Sequence, residues 1–281
     1  MKKPQLITII IACLLVTAIY LFGRTVPQKK SLPATNLTQT TSAGGLTDTI
    51  LSMAKRQIKP DQLMRITTLE HSISRGAVKD QQLQVYHQLA HFWNDSAGFF
   101  LPYAWYEGEY ARLENSENSL TFAARLFLEN LQQEQSPEFR NWEALQAKDL
   151  FERSLNINPG NDSAKIGLAA CYLFGNISAN PMEAIGKIKE VLSKDSTNVY
   201  GQMMLAKGAM LSEQYDKAAA RLELINRLDP RNLEAILLLA DVYERMSDKA
   251  NAIKWYQNSL RLIDRDDMKA AVKKRIEELK K

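Results

Sequence analysis

Two stretches of this chain stop in the same way: "NINPGN" at 156–161 and "RLDPRN" at 227–232. Each runs apolar residue, Asp or Asn, Pro, any residue, Asn. A chain that ends two segments alike is built from a repeated unit. With Asn232 as the last residue of one unit, a step of about 34 residues aligns the next. Leu205-Ala206 falls on Leu239-Ala240, Ala209 on Tyr243, Ala218 on Ala252 and Leu222 on Tyr256. Ile225 falls on Ser259, and Pro230 on Asp264. Two antiparallel helices approach closely only where the facing side chains are short. The alanines supply that contact, the large residues fill the space between successive pairs, and Pro230 ends the second helix.

The same pattern extends backward. In 162–198, Leu168-Ala169, Tyr172, Ala184, Ile188 and Val191 hold the repeat positions, with extra residues in the turn around "GNISANP". Residues 147–161 read as a second helix through Ala147, Phe151, Ser154 and Pro159. Its first helix is expected at 118–133, with Ala123-Ala124 and Phe127. A connection longer than usual, "QQEQSPEFRNW", joins them. Leu89-Ala90, Trp93, Ala104 and Ala111 mark a degenerate unit at 80–117. Residues 46–79 read as a helical cap broken at Pro60 and Gly76. Residues 267–281 read as a closing helix with Met268, Val272, Ile276 and Leu279 on one face.

These residues resemble the tetratricopeptide repeat, a helix–turn–helix unit with Leu-Gly/Ala at positions 7–8, Tyr at 11, Ala at 20, an aromatic at 24, Ala at 27 and Pro at 32. The resemblance covers roughly 80–266, as units 80–117, 118–161, 162–198, 199–232 and 233–266. It implies an all-α, right-handed superhelix of four to five units with capping helices at both ends. It also implies a concave groove that receives a segment of a partner protein, read from positions 5, 9, 12 and 13. Those are Ile166, Ala170, Leu173 and Phe174; then Met203, Lys207, Met210 and Leu211; then Leu237, Asp241, Glu244 and Arg245. In the degenerate unit, His87 and His91 fall at 5 and 9. Relatives that grip a C-terminal carboxylate carry Lys, Asn and Arg at such positions, a set absent here. The groove reads as apolar and methionine-rich, suited to an amphipathic or unfolded apolar segment. The alternative is that the chain's own terminal helices fill it.

Charge is distributed unevenly. No Asp or Glu precedes Asp48, whereas Lys2, Lys3, Arg24, Lys29 and Lys30 all do, so the remainder is near neutral. The basic balance therefore belongs to the N-terminal segment and points to no nucleic-acid partner. "LITIIIACLLVTAIYLF" (Leu6–Phe22) carries no charge. As a helix it would be about 26 Å long, enough for a short bilayer span. The expected layout is a cytoplasmic head at 1–5, a transmembrane anchor at 6–23 and a flexible tether at 24–45. A cleaved signal peptide and a lipobox ending at Cys13 are the competing readings. A short head places the repeats on the periplasmic side of a bacterial inner membrane; a cytosolic body is the alternative. Oligomeric state is left open.

No motif for catalysis stands out. "HQLAH" puts His87 and His91 one turn apart, similar to the zinc-protease signature, but Gln88 replaces the glutamate that would act as base. Two imidazoles lining the groove is the plainer reading. The pair Cys13 and Cys171 forms no metal-binding spacing, and no phosphate-binding loop or nucleophile elbow occurs. No cofactor or metal is implied. The aromatic run at 91–110 reads either as core or as an exposed interaction patch. The expected function is a non-enzymatic, membrane-anchored protein–protein scaffold for assembly of an envelope complex. The alternative is a chaperone-like accessory to translocation.

Overall fold

A computed structural model describes residues 43–74, 78–177 and 180–281. The expected head, the anchor at 6–23 and nearly all of the tether lie outside the described residues. Among those described, no helix is long and apolar enough to cross a membrane. They hold thirteen α-helices, a π-helical turn and no strand.

The first helices are α1 (Ala43–Lys55) and α2 (Pro60–Ser74). Five pairs follow: α3 (Lys79–His91) with α4 (Phe100–Glu114), α5 (Glu117–Leu131) with α6 (Pro137–Ile157), α7 (Asp162–Phe174) with α8 (Pro181–Lys194), α9 (Val199–Leu211) with α10 (Tyr215–Leu228), and α11 (Leu233–Arg245) with α12 (Lys249–Ser259). Helix α13 (Asp266–Leu279) closes the chain. Each pair packs against the next, and the first helices α5, α7 and α9 touch in turn.

Local chemistry sets the boundaries. The Oδ1 atoms of Asn161, Asn198 and Asn232 each accept a hydrogen bond from a first-turn amide, at 2.9–3.0 Å. A side chain in that place satisfies an amide that the helix itself cannot. Within the pairs, Glu213 and Ser247 hold equivalent places and share left-handed backbone, with φ 58° and 62°. The amides that follow them donate back to Ala209 and Tyr243, which also correspond. The chain thus reverses twice by the same turn. Ala206, Ala218, Ala240 and Ala252 are fully buried, as the close approach of paired helices requires.

Three features depart from the expected boundaries and faces. Helix α1 begins at Ala43, so the last residues of the expected tether are helical. Helix α6 begins at Pro137, not near Ala147, leaving only 132–136 as connection. Pro137 sits in the first turn, where a missing amide costs nothing, and Ser136 Oγ accepts from Phe139 N at 3.4 Å. On α13, Val272, Ile276 and Leu279 are buried, but Met268 stays exposed at the helix start.

Candidate partner-binding groove

Five helices wall a cavity of about 710 Å3. Helix α5 and the connection after it supply Arg125, Leu128, Glu129, Leu131, Gln132 and Gln133. Arg140 comes from the first turn of α6 and Phe174 from the end of α7. Helix α9 contributes Tyr200, Met203, Met204, Lys207, Met210 and Leu211, and α11 adds Glu234 and Leu238. The wall runs from a closed floor to an open rim: Met203 is 4% exposed and Leu211 68%.

A polar bridge crosses this wall. Lys207 Nζ donates to Gln132 Oε1 at 2.8 Å and pairs with Glu234 Oε1 at 2.6 Å. Its stem lies among the methionines while its ammonium joins the connection after α5 to α11. Arg125 donates through Nη2 to Ser163 Oγ and stacks over the Tyr200 ring, 4.8 Å from its centroid. Two donors here are buried without a partner: Arg125 Nε and the Tyr200 hydroxyl. Burial pushes the Tyr200 phenol well up, against the pull of Arg125. Arg140 is occupied, with Nε donating to the Glu134 carbonyl at 3.0 Å.

Of the groove residues expected from sequence, Phe174, Met203, Lys207, Met210 and Leu211 line the cavity together. Ile166 and Ala170 are fully buried inside the helix stack. Leu173 packs over Gly208, its Cδ2 2.9 Å from where a Cβ would stand. Without a side chain at 208, Leu173 is drawn into the α7–α9 contact and does not line the cavity. Leu237 packs on the α13 cluster of Val272 and Ile276. Arg275 of α13 pairs with Glu244 and holds its carboxyl below the usual range. The closing helix therefore covers both of those positions. Asp241 and Arg245 pair with each other at 2.9 Å outside the cavity.

His87 and His91 are exposed on α3, edge to face with centroids 4.3 Å apart. They line no part of the cavity. His91 Nδ1 lies 2.8 Å from Asp95 Oδ2, and no cluster of three or more metal-ligating side chains occurs among the described residues. The aromatic run at 91–110 is largely core: Phe92, Trp93 and Tyr106 are buried with Leu89 and Ile66. Cys171 is fully buried, and burial pushes its thiol up, away from the reactive thiolate.

The α5 wall escaped the sequence reading. The signal was present: with Ala123-Ala124 at positions 7–8, positions 9, 12 and 13 are Arg125, Leu128 and Glu129. Tyr200, at position 2, and Met204 and Leu238, at position 6, had no such signal, because they fall outside the groove positions.

The stacked pairs define the class: this is the tetratricopeptide-repeat fold. A tetratricopeptide repeat protein from Parabacteroides merdae superposes with a TM-score of 0.52 at 14% identity, over 83% of this chain and 86% of that one. No family model matches the sequence. Lipopolysaccharide assembly protein B of Haemophilus influenzae is 31% identical over 136 residues, 47% of this chain. The chain spans about a third of that relative's length, 34%.

Proposed function

We propose that this protein is a non-enzymatic scaffold that holds a partner protein's segment in the groove between α5, α9 and α11. The observation that carries this reading is the 710 Å3 cavity walled by Met203, Met204 and Met210. Methionine is unbranched and adaptable, so such a wall accepts apolar side chains of varied shape. A concave site that is apolar with a few placed polar groups is the usual form of a binding site. The Haemophilus relative is named for lipopolysaccharide assembly, which favours an envelope complex as the thing assembled. The uncharged stretch 6–23 would anchor the chain in a bacterial inner membrane, with the repeats on the periplasmic side. The methionine wall also favours a second reading, a chaperone-like accessory that receives apolar segments of exported proteins.

Site-specific photocross-linking in native membranes tests both. A benzophenone side chain at Met210 should capture partners; one at Lys187, exposed on α8 and away from the cavity, should not. One or two stoichiometric partners fit the scaffold, and a broad set of exported chains fits the accessory. Equal capture at the two positions would remove the groove from the account.

A further inference from the structure

We propose that the cavity takes an internal acidic side chain, set among apolar residues on a helical segment of a partner, and seats that carboxylate on Arg125. The inference rests on the groove being the binding surface. Its independent ground is the state of the charges. The lining carries Arg125, Arg140 and Lys207 against Glu129 and Glu234. Lys207 is paired with Glu234, and Arg140 is held by a backbone carbonyl. Arg125 forms no ion pair among the described residues, and its Nε is buried with no acceptor. A buried donor without an acceptor is costly, the more so when it is charged. Beside it, the buried Tyr200 hydroxyl is also unmatched, at a ring that holds the guanidinium in place. One entering carboxylate has oxygens enough for both donors.

The chain does not supply this group from its N-terminal segment. Residues 1–47 contain no Asp or Glu and five Lys or Arg. The closing helix α13 is engaged with Leu237 and Glu244 on α11. Glu129 is the internal competitor, one turn beyond Arg125, yet the pair is not formed. Arg before Glu is also the weaker order for a one-turn helix pair. The partner's flanking side chains meet Leu128, Met203, Met210 and Leu238, which calls for an apolar face around the acid.

The test is a fluorescence titration of the full-length chain with two labelled amphipathic peptides of about 18 residues, or five helical turns. Each has a Leu/Met face with one central Glu or, in the second peptide, Gln. The Glu peptide should bind at least about tenfold tighter, as a charge-assisted hydrogen bond provides. Arg125→Gln should erase that preference and leave the Gln peptide unaffected. Tyr200→Phe, which removes only an unpartnered hydroxyl, should reduce the preference without lowering the melting temperature. Glu129→Gln should increase it. Equal binding of the two peptides, abolished by Met210→Lys, overturns the carboxylate and leaves the groove standing. Binding of neither peptide overturns both readings. Phosphatidylglycerol vesicles that bind through Arg125, with no Glu preference, would assign the arginine to a lipid headgroup and overturn the proposal.

Discussion

Glu143 is a carboxyl held in surroundings that disfavour its charge. It lies fully buried on α6, with Oε1 accepting from Asn130 Nδ2 at 2.5 Å and Oε2 without a partner. Burial raises its carboxyl from an ordinary value near 4.5 to about 8; the Asn130 hydrogen bond opposes this only in part. The folded state therefore keeps a proton that the unfolded chain releases above about 4.5. Stability is undiminished by this group below that value, falls as pH rises toward 8, and is lowest above it. Glu143→Gln keeps the shape and the acceptor without the charge. At pH 8.5 the variant should be more stable than the parent by on the order of 3 kcal/mol, since each tenfold change in proton affinity is worth about 1.4 kcal/mol. At pH 5 the two should melt nearly together. Urea melts across pH 5–9 decide it; a parallel pH dependence in both proteins would mean that Glu143 is solvated or paired in solution.

At the scale of helices, the contact between α6 and α7 is set by one absent side chain. Gly167 on α7 faces the Phe151 ring so closely that an added Cβ would stand 2.2 Å from ring carbon Cζ. The ring is fully buried and has nowhere to swing. Alanine gains about 1 kcal/mol over glycine inside a helix, but overpacking a tight core costs about 1–3 kcal/mol. The clash should win, so Gly167→Ala should lower stability. In a Phe151→Leu background much of that loss should vanish, giving a coupling of about 1 kcal/mol in a double-mutant cycle. A stabilised Gly167→Ala would show that α6 and α7 are farther apart in solution. The Asn caps, the buried alanines and the repeat spacing are local, so the all-α repeat fold was legible in the sequence. The start of α6 was hidden because "SPEFRNW" looks like a loop until Ser136 and Pro137 are recognised as a helix start. The polar bridge across the cavity was hidden for another reason. Gln132 and Lys207 meet across distant parts of the chain, and no local pattern records that meeting.

Across the whole array each pair touches mainly its neighbours, so stability approximates a sum of unit and interface terms. The last pair has a neighbour on one side only, and α13 supplies the other. Val272 and Ile276 cover Leu233, Leu237, Ile253, Tyr256 and Leu260, while Arg275 reaches Glu244. Of the four groove positions of that pair, Leu237 and Glu244 therefore contact helix α13, and Asp241 and Arg245 pair with each other. Ending the chain after Asp264 would return that apolar face to water. At about 25 cal/mol per Å2 such exposure costs several kcal/mol, more than a single pair can spare when domains as a whole hold about 5–15 kcal/mol. The truncated protein should lose hydrogen-exchange protection first in α11 and α12, less in α9 and α10, and hardly at all in α5 and α6. It should also self-associate through the uncovered face. Uniform loss of protection along the chain would indicate a single cooperative unit, in which events at α13 reach the cavity directly. The graded outcome would mean that the cavity, which borrows only Glu234 and Leu238 from the last pair, keeps its α5 and α9 walls when that pair frays. Binding to the truncated chain should then weaken by the contribution of the α11 wall alone, and Arg125 should keep its preference for an acidic partner.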